Sequence, residues 1–288
     1  MHGDKANKLE RALYVVATPI GNMGDITLRA LEALTYADVI AAEDTRNTQR
    51  LLHQHGIAGA RLLALHKHNE RAAAEKILAQ LEQGLTVALV TDAGTPAVSD
   101  PGALVVQIVR QAGQRVIPLP GANAAIAALS ASGLVHPHFL FYGFLDSKPA
   151  ARRRQLQELA SEPHTLVFYE APHRILESIA DMQSLLGPNR QVVIARELTK
   201  LFENLHVGIL GDALDWLNAD PNNQRGEFVV LVSGAEPRAD AREAEGERVL
   251  ALLIEELPLK QAVQLAAKIT GDSRNRLYQH ALQHHKQD

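Results

Sequence analysis

The chain contains no cysteine. That absence excludes disulfides, thiolate metal sites and a cysteine nucleophile, and it is compatible with residence in the cytoplasm. Aromatic residues are scarce, at 4%, with a single tryptophan. No apolar run approaches the ~20 residues that a membrane-spanning helix needs. Met1 to Arg11 is polar and mixed in charge, unlike a secretory signal, and reads as a frayed lead-in. An excess of positive charge is missing too: the net charge is −4, so any nucleic-acid surface must be a local patch.

What is present is ample for a globular core. Of 288 residues, 46% are hydrophobic, enough for two ordinary domains and a small appendage. Short apolar runs at Ala12–Ala17, Asp38–Ala42, Arg61–Leu65, Thr86–Val90 and Arg115–Leu119 alternate with helical patterns. The helix over Asn69–Gln83 carries Ala73, Ile77, Leu78 and Leu81 at the spacing of one buried face. Strands alternating with helices across short loops predict an α/β fold, with a mainly parallel sheet over residues 12–120. Beyond the junction Pro120-Gly121-Ala122-Asn123, residues 121–236 mix hairpin and crossover signals, which predicts a second α/β domain with a mixed sheet. Residues 237–288 show three helical patterns and no strand. Their second half holds Lys260, Lys268, Arg274, Arg276 and Lys286 against Asp272 until the last residue, an asymmetry suited to a nucleic-acid surface. Asp272 or Ser273 is placed to cap the last helix.

The densest punctuation is Asp92-Ala93-Gly94-Thr95-Pro96-Ala97-Val98-Ser99-Asp100-Pro101-Gly102, directly after the Thr86–Val90 run. Ligands of open α/β sheets bind at such strand ends. Glycines there let backbone approach a ligand, Asp92 and Asp100 supply acceptors, and Ser99 or Asp100 is placed to cap the following helix. The loop Thr18-Pro19-Ile20-Gly21-Asn22 after the first strand is a second candidate, although its glycines do not complete a G-x-G-x-x-G fingerprint.

Several motifs in order carry a resemblance. Val15-Val16-Ala17-Thr18-Pro19-Ile20-Gly21-Asn22, Ala42-Glu43-Asp44-Thr45-Arg46, Thr91–Pro96 with Ser99–Gly102, and Pro120-Gly121-Ala122-Asn123-Ala124 resemble the tetrapyrrole methylase superfamily. Phe168–Arg174 and Arg196–Lys200 extend the likeness, and the Thr-Pro-Ile-Gly-Asn loop, in place of a glycine run, resembles its RNA-methylating branch. The resemblance implies two α/β domains with S-adenosyl-L-methionine folded in the cleft between them, a C-terminal helical domain and a homodimer. It implies 2′-O-methylation of a cytidine ribose in the decoding region of 16S rRNA, with the small ribosomal subunit as partner, in the cytoplasm. A precorrin-type C-methyltransferase and a non-catalytic ribosome-binding module are the alternatives.

By this resemblance Asp92, Ala93, Gly94, Thr95 and Pro96 line the methionine and ribose part of the cofactor. Thr18, Pro19 and Gly21 form the opposite wall, Ala122, Ser130 and Ala131 flank the adenosyl group, and Gly226 and Glu227 lie near the adenine. A hydroxyl nucleophile needs help losing its proton. Glu43, Asp44 and Arg46 are the preferred base-and-orienter group among the strand-end charges. Lys148, Arg152, Arg153 and Arg154, with Arg274 and Arg276 in the tail, are candidate phosphate contacts. His66-Lys67-His68 lacks carboxylate or cysteine partners at ligand spacing, so no metal site is expected.

Overall fold

The computed structural model describes residues 9–236 and 239–284. Most of the expected N-terminal lead-in, two residues at the predicted 236/237 boundary, and Lys286 lie outside the described residues.

The first sheet is built from β1 (Leu13–Val16), β2 (Val39–Ala42), β3 (Leu62–Ala64), β4 (Val87–Val90) and β5 (Val116–Leu119). Its order is β3-β2-β4-β1-β5 and every pairing is parallel. Strands buried on both faces read as continuous apolar runs, and alternate residues separate cleanly. Tyr14, Val16, Ile40, Ala88 and Val90 pack with Ala30, Ala33 and Leu34 of α1 (Leu28–Tyr36) and Leu51 and Leu52 of α2 (Thr45–Gln54). Leu13, Val39, Ala41, Val87 and Leu89 face α3 (Glu70–Glu82) and α4 (Ala103–Gln111). The chain leaves β1 toward β2 and leaves β4 toward β5, in opposite directions along the sheet. The adjacent carboxyl ends of β1 and β4 therefore form the switch point, where the open sheet offers a crevice.

From β5 the chain enters α5 (Ala124–Ala131), whose Ala125 and Ala128 pack on the second sheet. That sheet comprises β6 (Phe139–Phe144), β7 (Thr165–Glu170), β8 (Gln191–Arg196), β9 (Asn204–Ile209) and β10 (Phe228–Val232), in the order β6-β7-β10-β8-β9. Only β6 and β7 pair in parallel, so the sheet is mixed as expected. Helices α6 (Pro149–Glu158), α7 (Ile175–Leu186) and α8 (Leu210–Ala219) complete this half. Trp216 of α8 stacks on His206 of β9, with ring centroids 4.4 Å apart and planes 9° from parallel; burial holds the His206 imidazole below its usual pKa.

Both sheets lie in one compact unit. A second unit holds α9 (Ala239–Glu256), α10 (Leu259–Thr270) and α11 (Arg274–His284), joined by the short segment Ala160–His164. Its core is Leu250, Ala262, Val263, Ala266, Leu277 and Ala281. The Ser273 hydroxyl accepts from the Arg276 N–H at 3.5 Å, at the start of α11. No helix among the described residues is long and apolar enough to cross a membrane.

One local expectation fails. Neither Ser99 nor Asp100 caps α4: the helix begins after Gly102, and Glu70 Oε1 accepts from the Gly102 and Leu104 N–H groups at 2.8 and 3.1 Å. A carboxylate on α3 thus satisfies donors that local sequence rules assign to a neighbouring side chain.

Candidate active site

A cavity of about 400 Å³ opens at the carboxyl ends of the first sheet's strands and against the second sheet, within the size range of small-molecule sites. Ile20, Ala93, Gly94, Thr95 and Val98 line it from the first half, and Tyr169, Ala171, Ala195, Leu198 and Val229 from the second. The N-terminal residues of α5, Asn123 and Ala124, form another side. Three carboxylates border it: Asp100, Glu170 and Glu227.

Within the first half the loops after β1 and β4 are tied together, Thr18 and Gly94 exchanging backbone hydrogen bonds of 2.9 and 3.0 Å. Side-chain hydroxyls join the two halves: Thr95 Oγ1 donates to the Ala122 carbonyl at 3.0 Å. The Asn22 N–H donates to Thr199 Oγ1 at 3.1 Å. A Cβ at Gly21 would lie 2.5 Å from Lys200 Cγ, so only glycine permits that approach. The 95–102 loop is held in a costly shape, with Ala97 and Ser99 both left-handed at φ 68° and 65°. Such strain collects at functional sites, where surrounding structure enforces it.

The sequence-predicted cofactor residues divide into three groups. Ala93, Gly94, Thr95 and Glu227 line the cavity. Thr18, Pro19, Gly21, Pro96, Ala122 and Gly226 shape its loops without lining it, and Thr18 is zipped to the Gly94 turn rather than facing it. Ser130 and Ala131 lie exposed at the far end of α5, whereas the cavity meets its N-terminal end. Seven residues at 1.5 Å each place them about 10 Å along the helix.

Asp92 lies outside the cavity lining. Its carboxylate accepts from the Asp44 N–H at 3.1 Å and from Asn47 Nδ2 at 3.0 Å, at the start of α2. Asp92→Ala is expected to cost about 1 kcal/mol of stability, the usual net worth of a lost hydrogen bond. Binding of S-adenosylmethionine by calorimetry should change less than about threefold, since the group does not reach the cavity. A loss of affinity without loss of melting temperature would return Asp92 to the site.

Glu43, Asp44 and Arg46, the preferred base-and-orienter group, lie outside the cavity lining too. Asp44 caps α2, and its hydrogen bonds and ion pair with Arg46 (2.6 Å) hold its carboxyl down to about 2, a poor proton acceptor at neutral pH. Glu43 Oε2 accepts from Thr91 Oγ1 at 2.6 Å and does not line the cavity. Of the cavity carboxylates, Glu170 is saturated by Arg174 (2.8 Å), Ser178 Oγ (2.5 Å) and the Ala171 N–H (2.8 Å). Glu227 pairs with Lys200 at 2.9 Å. Asp100 makes no ion pair among the described residues; burial first, then the charge of Glu43, pushes its carboxyl up to about 6. Sequence reading saw Asp100 as an acceptor equivalent to Asp92, and nothing in the spacing ranks the two.

The basic candidates also separate. Arg152 is buried, donating to Asp181 at 2.6 Å and Glu177 at 3.1 Å, so it holds α6 to α7 and cannot reach RNA. Arg153 is exposed yet donates to Asp181 at 2.7 Å, while Lys148 and Arg154 are exposed. In the helical unit Arg276 turns inward onto Asp272, Glu247 (2.7 Å) and the Glu243 carbonyl (2.9 Å), leaving Arg274, Lys260 and Lys268 outward.

A doubly built α/β unit with a ligand-sized cleft at its switch point, followed by a helical unit, is the architecture of a known methylase class. Residues 12–214 match the model for tetrapyrrole (corrin/porphyrin) methylases, and residues 240–285 match that for the RsmI C-terminal HTH domain. The fold is shared with a cobalt precorrin-4 methyltransferase: TM-score 0.58 and 20% identity, covering 77% of this chain and 95% of that one. It is shared also with uroporphyrin-III C-methyl transferase from Thermus thermophilus complexed with S-adenyl homocysteine: TM-score 0.55, 18% identity, 77% and 97% covered. Among named relatives, ribosomal RNA small subunit methyltransferase I of Escherichia coli O157:H7 is 50% identical over 96% of this chain and 97% of its own. That of Pseudomonas aeruginosa is 52% identical, covering 94% and 96%. The chain belongs to the tetrapyrrole methylase family and, within it, to the ribosomal RNA small subunit methyltransferase I group.

Proposed function

We propose that the protein transfers the methyl group of S-adenosylmethionine to the 2′-hydroxyl of a cytidine ribose in the decoding region of 16S rRNA. It acts on the assembled small subunit in the cytoplasm, as a homodimer. The observation that carries this reading is the switch-point cavity in a chain half identical to named rRNA methyltransferases.

The lining suits the cofactor. Ala124, Ala171, Ala195, Leu198 and Val229 offer an apolar bed for an adenosyl group, and Gly94 brings backbone to the cavity wall. The N-terminus of α5 favours a carboxylate such as that of the methionine part. Carboxylates at Asp100 and Glu227 favour the positive sulfonium and ammonium over a neutral ligand. When bound, the cofactor supplies an activated methyl group. Lys148, Arg154, Arg274, Lys260 and Lys268 are exposed cations suited to phosphates, which position RNA without reading its sequence.

The test uses methyl-labelled S-adenosylmethionine with small subunits lacking decoding-region ribose methylation, naked 16S rRNA, and a precorrin mixture. Label is expected on one cytidine ribose of the subunit. Label on the corrinoid alone would overturn the substrate. Subunit binding with no label anywhere would make the protein a binding module.

A further inference from the structure

We propose that the carboxyl ends of β2 and β3 form a docking strip for single-stranded RNA, in which Arg46, His66, Lys67, His68 and Arg71 hold the nucleotides that flank the target ribose. The inference rests on the proposed ribose methylation and deepens it, by naming the groups that receive the RNA beside the cavity.

The topology sets the strip next to the site. The order β3-β2-β4 runs inward from the sheet edge and every pairing is parallel, so the loops after these three strands leave the same end of the sheet. The loop after β4 borders the cavity. Strands lie about 5 Å apart, which puts the loop after β3 roughly 10 Å from it. The electrostatics register this closeness: the charge of Lys67 acts on Asp100, and Arg46 interacts with Asp92. A cavity of about 400 Å³ is sized for a small molecule rather than a run of nucleotides, so the nucleotides next to the reacting one lie on the surface outside it.

That surface carries the chemistry of a single strand. All five side chains are exposed. Lys67 and Arg71 make no ion pair among the described residues. Arg46 donates from Nε and Nη2 to Asp44 at 3.1 and 2.6 Å, which leaves Nη1 without a partner among the described residues on a side chain 83% exposed. Two carboxylates close by are spent inside the protein, Glu70 on the Gly102 and Leu104 N–H groups and Asp92 on the Asp44 N–H and Asn47. Lys67, His68 and Arg71 line an open cleft of about 440 Å³, together with Leu104 and Glu75. Cations alone would suit any anion. Here two imidazoles flank Lys67 in the chain, with ring centroids 6.1 Å apart and planes tilted by 60°. Rings among cations suit a strand that presents phosphates together with unstacked bases.

The experiment compares wild type with Lys67→Gln, Arg71→Gln, the double variant His66→Ala/His68→Ala, and Arg61→Gln, which removes an exposed cation at the amino end of β3. It measures binding to small ribosomal subunits against salt at pH 8, where an ordinary imidazole is uncharged. It also measures kcat and KM for subunits, calorimetric Kd for S-adenosylmethionine, and melting temperature. Lys67→Gln and Arg71→Gln should each raise the subunit Kd and KM by about 3- to 10-fold. Each should also flatten the slope of log Kd against log salt by about 0.7, the share of one phosphate contact to a single strand. The histidine double variant should weaken binding at least about fivefold, as for a lost stacked base, with the slope unchanged, because stacking releases no counterion. Arg61→Gln should behave as wild type, and the cofactor Kd and melting temperature should hold in all four variants. Unchanged subunit binding and salt slope in Lys67→Gln and Arg71→Gln would overturn the proposal. An equal loss in Arg61→Gln would overturn it as a diffuse charge effect, and a weakened cofactor Kd would assign these groups to the cavity instead. Wild-type protein that shows these binding effects and transfers no methyl group would refute the ribose-methylation reading while sustaining the strip.

Discussion

Arg152→Ala is expected to destabilise the two-sheet unit by about 3 kcal/mol, the lower end of the cost of breaking a buried ion pair. The guanidinium side chain is 3% exposed and its Asp181 partner 7%, so removal leaves a buried carboxylate half-compensated. Arg153, still bonded to Asp181, keeps the cost from the upper end. At about 2–4 °C per kcal/mol for a unit of this size, the melting temperature should fall by roughly 6–12 °C. Arg154→Ala is the control: its nearest ion-pair contact is 3.9 Å from an exposed Glu158, and its effect should stay within about 0.5 kcal/mol. If Arg152→Ala melted like wild type and lost only subunit affinity, Arg152 would be an RNA contact after all.

That pair shows where the sequence stops being legible. Arg152, Arg153 and Arg154 are chemically identical, and each successive residue turns about 100° around the helix. Which of them points into the protein depends on how α6 docks on α7, and tertiary packing alone sets that. The strands were readable because burial on both faces leaves continuous apolar runs such as Val87–Val90. The cap of α4 was not, since Glu70 sits 32 residues from Gly102. The Asp92–Gly102 turn announced a ligand site through its glycines and prolines. Its two acidic residues nevertheless diverge: one is absorbed by the start of α2, the other faces the cavity.

Gly226→Val should damage the site more than the fold. Gly226 is left-handed at φ +93°, and a Cβ there would lie 2.4–2.5 Å from the Glu197 side chain. Left-handed backbone costs a side-chain-bearing residue roughly 1–2 kcal/mol, and Glu197 cannot step aside freely. Its carboxylate is held by Lys200 Nζ at 2.8 Å and the Glu227 N–H at 2.9 Å, and Glu197 is itself left-handed at φ 53°. Relief must therefore move Glu227 and Leu198, which line the cavity. A penalty of about 2–3 kcal/mol taken from binding corresponds to a 30- to 150-fold weaker Kd for S-adenosylmethionine, measurable by calorimetry. Glu197→Gln, which keeps the shape, should weaken it only a few-fold. An unchanged Kd in Gly226→Val would show that the cavity wall yields without loss.

The stacking of Trp216 on His206 has an optical consequence. The only indole of the chain sits on α8, outside the cavity lining, against an imidazole that burial keeps neutral near pH 7. Intrinsic tryptophan emission is thus a gauge of one place, the seam of α8 and β9. It brightens or dims when that seam opens or the imidazole gains a proton, and it is blind to an occupied cavity. Folding and ligand binding can therefore be followed in one cuvette by separate signals, the first from this native fluorophore and the second from heat or from a fluorescent cofactor analogue.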